Sequence, residues 1–363
     1  MLAMMTKSPQ SLSTRSRVLM GVVLSAAFAS ACAAGAERIV LIAGGQGAEG
    51  IPATDAKLDG PFGVDFDEAK NMYLVEISGH RVLRVNPRGL LTRLAGTGQK
   101  GDRGDDGPAL PAEFNGMHSL AAAPGQIYIA DTWNNRVRRI DLKSGVIHAV
   151  AGTGKKGLSG DGGAAKDAEF GGIYCIALDP RGRGLVLTDL DNRRIRMVDL
   201  SSGLVTTVAG NGEKGKPEDG SSAIQAPLVD PRAAVTDSKG NLYILERGGH
   251  ALRVVDAAGK IRTLIGDGKG DTTLKGPKHL CVDNSGNVII ADTENHRVLK
   301  YLVHEKVTVP VAGTGQKGTA GVGGPPSAVQ LNQPHGVTLG PDGQLFIVDS
   351  SNNRVLKIET ISP

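Results

Sequence analysis

The chain has 363 residues, 51 of them glycine, about twice the usual share, while 40% are hydrophobic; this describes a turn-rich globular protein and excludes collagen-like and low-complexity chains. The net charge is +4, but Lys7, Arg15 and Arg17 carry three of those charges, so the body beyond residue 36 stands at +1. With only 3% aromatic residues it lacks both the basic footprint and the stacking platforms of a nucleic-acid binder.

Residues 1–36 read as an export signal: a basic start, an apolar run from Val18 to Ala29, then small residues to Ala36. The run is short for a membrane span. Ala31-Cys32-Ala33 and Ala34-Gly35-Ala36 both fit a small-x-small cleavage site, and Ala29-Ser30-Ala31-Cys32 resembles a bacterial lipoprotein signal in which Cys32 becomes a lipidated first residue. Both outcomes stay open, with an uncleaved anchor as the lesser reading because Ala, Ser and Gly dilute the second half of the uncharged stretch. Either one places the body, residues 37–363, outside the cytoplasm: periplasmic, secreted or lipid-anchored to the cell envelope.

The body opens with an isolated strand, Arg38-Ile39-Val40-Leu41-Ile42-Ala43-Gly44, and then repeats itself. A glycine signature closing a short apolar run recurs at Ala43, Ala95, Ala151, Ala209, Ile265 and Ala312, at intervals of 47 to 58 residues. An acidic residue ending an apolar run recurs at Glu76, Asp131, Asp189, Glu246, Asp292 and Asp349, at intervals of 46 to 58. Each unit carries four strand-like runs. One begins near Pro61, Gly116, Ile173, Pro231, Pro277 and Pro334; the second ends at the acid, the third is an Arg-Val run such as Arg136 to Asp141, and the fourth enters the glycine signature. No segment keeps helical periodicity. Six four-stranded units predict an all-β, six-bladed β-propeller. The sixth unit stops at Lys357-Ile358-Glu359 without its closing strand, so the N-terminal strand is expected to complete the last blade.

These units resemble the NHL-repeat family, whose repeats carry Pro-x-Gly-Val, an apolar run ending in Asp, Asn-x-Arg-Val and a closing Thr-x-Ala-Gly. The match is close in Asp131…Asn134-Asn135-Arg136-Val137, Asp292…Asn295-His296-Arg297-Val298 and Asp349…Asn352-Asn353-Arg354-Val355, and it covers about residues 37 to 360. The resemblance implies a propeller; such propellers serve as protein-binding, RNA-binding and catalytic scaffolds.

The Asp-x-x-Asn-x-Arg element reads as architecture, its carboxylate bonding the turn backbone and its Arg reaching the carboxylate. Units one and four depart from it together, with Glu76-Ile77-Ser78-Gly79-His80 and Glu246-Arg247-Gly248-Gly249-His250, through drift of the turn or as an asymmetric binding face. The connectors Gly101 to Gly107 and Gly160 to Gly163 read as turns, with calcium sites as the lesser reading because the ligand order of a calcium loop is missing. Cys175 and Cys281 form no C-x-x-C motif and are expected as buried free thiols.

Counted from the Pro position, Phe62, Met117, Tyr174, Arg232, Lys278 and His335 are expected around a wet channel mouth and are the ligand-binding candidates. His118, His279 and His335 are candidate zinc ligands. Pro334-His335 and His118-Ser119-Leu120 resemble motifs of the amidating-lyase propellers, which implies a His-held zinc with Arg and Tyr assisting; Arg232 and Tyr174 would be the catalytic pair. Against this, His118 and His279 sit one position later than His335 in this count, and neighbouring strand residues face opposite ways. The expected function is an exported, monomeric module binding a protein or small molecule through the loops of one face and the channel mouth, with no nucleic-acid partner and no membrane contact beyond the leader. The alternative is a metal-dependent lyase or hydrolase with a His-lined channel.

Overall fold

Residues 36–45, 50–266 and 272–361 are described by the computed structural model. The leader with Cys32, and the last residues of the glycine signatures after Ala43 and Ile265, lie outside them. Each repeat unit forms one antiparallel sheet, and six sheets stand around an axis. The innermost strands are Pro61–Phe66, Ser119–Ala123, Ile173–Leu178, Pro231–Thr236, His279–Val282 and Pro334–Leu339. The next strands, such as Met72–Glu76, Leu185–Asp189 and Val288–Asp292, are buried at every position. Both of their faces pack on neighbouring blades, which is why they read as continuous apolar runs rather than alternating ones. One apolar cluster fills each of the six interfaces; between the first two blades it contains Val75, Val82, Phe114, Ile129 and Ile140.

The ring closes as expected. The N-terminal strand Glu37–Ala43 runs antiparallel to Arg354–Thr360, pairing Ile39 with Ile358 and Leu41 with Leu356. It supplies the fourth strand of the last blade, whose other three are Pro334–Leu339, Leu345–Asp349 and Arg354–Thr360. Across the same seam the Gly60 amide donates to Asn353 Oδ1 at 2.9 Å. Among the described residues only the second blade exceeds four strands, because the two-residue strand Gly107–Pro108 pairs with Val146 and Ile147.

The acidic column has one role in all six blades. Each carboxylate is fully buried and accepts, at 2.7 to 2.8 Å, the backbone N–H of the segment entering the innermost strand: Asp59 to Glu76, Asn115 to Asp131, Gly171 to Asp189, Val229 to Glu246, Lys275 to Asp292 and Asn332 to Asp349. In four blades the Asn three residues later donates to the same carboxylate, at 2.8 to 3.0 Å. In the first and fourth blades the longer Glu stands where that Asn would, and Gly79 and Gly249 leave room for it, since a Cβ on either would run into the carboxylate. The paired departure is therefore a compensated exchange of Asp plus Asn for Glu plus Gly.

The arginines divide the same work differently from the sequence expectation. Arg81, Arg297 and Arg354 pair with their acids at 2.7 to 2.8 Å, but in blades two to four the principal cation is the Arg two residues further on. Arg138, Arg196 and Arg253 are fully buried. Arg253 meets Glu246 at 2.7 Å, while Arg138 and Arg196 lie on the rings of Phe114 and Phe170 and bond carbonyls of the connector loops. Their nearest carboxylates are Asp105 and Asp161 of the connector loops, with the column acids Asp131 and Asp189 at 3.7 and 3.9 Å, while Asp106 of the first loop meets His148. Cys175 is buried as expected, but Cys281 is only half-buried.

Candidate site at the channel mouth

At the head of four innermost strands the pairing with the next strand breaks register. The register steps between Ile173 and Cys175, between Pro231 and Ala233 and between Pro334 and Gly336, so Tyr174, Arg232 and His335 bulge out of the ladder toward the axis. In the second and fifth blades the ladder begins at the pairs Ser119–Ala130 and His279–Ala291, so that His118 and Lys278 immediately precede it, and Phe62 lies within the register step of the first. One residue per blade thus forms a ring: Phe62, His118, Tyr174, Arg232, Lys278, His335.

This register corrects the sequence count by one place in the second blade. Met117, expected at the mouth, is fully buried in the core between the first two blades, and His118 holds the ring position. His118 and His335 therefore share a layer. His279 does not: it follows the ring residue Lys278, and its Nδ1 lies 3.1 Å from the Val337 carbonyl oxygen, on the lining of a cavity of about 500 Å³ at the far end of the innermost strands. That cavity also meets Asp65, Asp237, Cys281 and Thr338. Burial pushes Asp65 up to about 6, although it accepts the N–H groups of Phe66 and Ala122.

The mouth is packed rather than wet. Phe62 lies between the two histidines, stacked on His335 at 4.1 Å and edge-on to His118 at 4.8 Å. Tyr174 packs on the other side of His118 at 4.6 Å, and the Arg232 guanidinium lies 4.5 Å from the Tyr174 ring centre. His118, Arg232 and His335 are each less than a tenth exposed; Phe62, Tyr174 and Lys278 are half-buried. Lys278 Nζ donates to His335 Nε2 at 2.7 Å, and His118 Nδ1 donates to the Gly116 carbonyl at 2.7 Å. Above the ring, Trp133, nearly half exposed, leans on His118 at 5.6 Å. The sequence reading passed over this residue, although it is the only tryptophan in the chain.

Electrostatically the ring repels cations. Burial holds His118 and His335 well below the usual imidazole range, with Arg232 next for His118 and Lys278 next for His335. Burial, then Arg232 and Arg247, pulls Lys278 down to about 8; burial, then Arg247, pulls Arg232 to about 10. Burial likewise takes His279 to about 4. The three histidines do not fit a zinc site. Phe62 separates two of them, the third faces another cavity, and Lys278 already occupies His335 Nε2. Among the described residues no three His, Cys, Asp or Glu side chains converge as a metal group.

The chain carries NHL repeats, matched over residues 274–301 and 331–358. It is similar to the protein SUPPRESSOR OF QUENCHING 1, chloroplastic, of Arabidopsis thaliana, with 25% identity over 284 residues covering 72% of this chain and 27% of that protein. It is also similar to NHL repeat-containing protein 2 of Bos taurus, with 25% identity over 337 residues covering 82% and 46%. The chain thus spans between about a quarter and a half of the length of these relatives. Among solved structures it superposes on an auxiliary nutrient binding protein from Bacteroides thetaiotaomicron with a TM-score of 0.64 at 14% identity, covering 90% of this chain and 76% of that one. It superposes on a catalytically inactive virginiamycin B lyase from Staphylococcus aureus with quinupristin with a TM-score of 0.56 at 14% identity, covering 90% and 100%. At such identities the likeness is one of fold.

Proposed function

We propose that this NHL-repeat propeller is an extracytoplasmic binding module whose ligand docks over the Phe62–His335 ring, between the turns that carry Trp133 and Arg247. The observation that carries the reading is divergence within a repeat. The six acids of the buried column do one job and are all Asp or Glu, whereas the six ring residues are Phe, His, Tyr, Arg, Lys and His. Blade architecture makes equal demands on equivalent positions, so a layer filled with five chemistries answers to something other than the blade. Placement outside the cytoplasm rests on the leader composition, and the mature chain is expected to begin at a lipidated Cys32, or near Ala34 or Glu37 without lipid, as mass spectrometry of the native protein would read.

Trp133 is the built-in reporter. Compounds and peptides that raise the melting temperature are titrated against tryptophan emission, which a ligand seated over the ring shifts and Phe62→Ala weakens. Binders that leave the emission unchanged and ignore Phe62→Ala would place the binding surface elsewhere, with the Asp65 cavity as the next location to test.

A further inference from the structure

We infer that Arg232, Lys278 and the neighbouring Tyr174 and His335 form an anion-binding subsite, which takes a carboxylate or phosphate group of a ligand whose remaining body lies over the aromatic surfaces of Phe62, Tyr174 and Trp133. The inference rests on the proposed docking face and adds the chemistry of its ligand.

The argument starts from the buried arginines. Five are less than a tenth exposed: Arg138, Arg196, Arg232, Arg253 and Arg354. Four meet a carboxylate at 2.7 to 2.8 Å, namely Asp105, Asp161, Glu246 and Asp349. Arg232 meets none within 4 Å among the described residues. Its one hydrogen bond runs from Nη1 to the Tyr174 carbonyl at 3.3 Å, and its buried Nε has no acceptor. A guanidinium has five donors, and burying its charge without a counter-charge is costly. Lys278 brings a second cation to the same layer, its ammonium bonded to a neutral imidazole instead of an acid.

The nearby acids do not neutralise the pair. Asp230 is held by Arg247 at 2.7 Å, and Glu294, which lies on the Lys278 side, makes no ion pair with it within 4 Å. Two cations with unused donors, facing the axis from adjacent blades, suit an oxyanion that accepts from both. Tyr174 and Phe62 flank the guanidinium, at 4.5 and 6.0 Å from ring centre to Cζ, and Trp133 stands above, so an anion carried on a flat apolar body would meet complementary surface on each side.

The test uses the folded full-length body with benzoate, phenyl phosphate and the neutral isostere benzamide, at ionic strength held constant with chloride, read by Trp133 emission and by melting temperature. At least one of the two anions is expected to bind ten-fold or more tightly than benzamide, and the stronger of them identifies the head group. Arg232→Met and Lys278→Met, each checked for a native circular dichroism spectrum, are each expected to weaken that anion at least ten-fold, whereas the exposed Arg262→Met leaves it unchanged. Equal binding of benzamide and both anions would overturn the anion subsite while leaving the docking face standing. Anion binding that survives both Arg232→Met and Lys278→Met, or anions that act no differently from chloride, would overturn it as well. Binding that never moves Trp133 emission would overturn the docking face along with it.

Discussion

Glu76 and Gly79 fit together as one unit: the Glu76 carboxylate fills the space that a side chain at position 79 would need, and there it accepts the Asp59 amide and the Arg81 guanidinium. Glu246 and Gly249 repeat the arrangement in the opposite blade. Gly79→Asn is expected to destabilise by about 2 kcal/mol through overpacking, whereas adding Glu76→Asp restores at least about 1 kcal/mol of it. Chemical denaturation of the two single variants and the double variant closes the cycle. Additive effects would show that the two positions vary independently.

The buried Arg253–Glu246 pair is a sharper test of the architecture than an Arg at the head of a third strand, such as Arg297. Both partners are fully buried, so Arg253→Ala takes the cation away from a buried carboxylate and is expected to cost about 3 kcal/mol or more. Arg297 is about a third exposed, and Arg297→Ala is expected to cost less than half as much, because water replaces part of what is lost. The order of the two urea midpoints decides.

Lys278 supplies a pH signature. Its proton is held less tightly in the folded chain, with a value near 8, than in the unfolded one, where it is near 10.5. Between those limits the unfolded state binds more protons, so stability rises with pH through this window. Lys278→Met removes the group; the variant is expected to be more stable than the parent at pH 7, with the difference shrinking as pH climbs from about 8 to about 10.5. Melting curves across that range check it, and a pH-independent difference would contradict it.

Ring closure depends on the first strand of the body. Removing residues 37–43 exposes the edge of Arg354–Thr360 along its length and opens the cluster around Ile39, Leu356 and Ile358. The shortened protein is expected to melt lower and to associate, as size-exclusion chromatography would read. A monomer with the parental melting temperature would show that the seam holds without this strand.

The sequence by itself determined the blade count, the acidic column and the closing strand, because each follows from a local pattern repeated at a fixed interval: apolar runs, a strand-ending acid and a glycine signature. The glycine requirement was legible for the same reason. Gly96 and its five equivalents sit at positive φ, where a Cβ would meet the carbonyl of the turn before the third strand, as with His80 beside Gly96. What only the tertiary structure decided is the identity of the ring. The register at the head of the innermost strands, broken by a bulge in several of them, sets which side chain faces the axis, and no sequence period reports a bulge, so the count puts Met117 in place of His118 and groups His118 with His279 instead of with His335. Charge pairing was equally invisible: Arg232 looks like Arg138 or Arg253 in the chain. Whether a buried arginine meets a carboxylate depends on partners brought from 5 to 35 residues away in the sequence, and for Arg232 the fold brings none among the described residues.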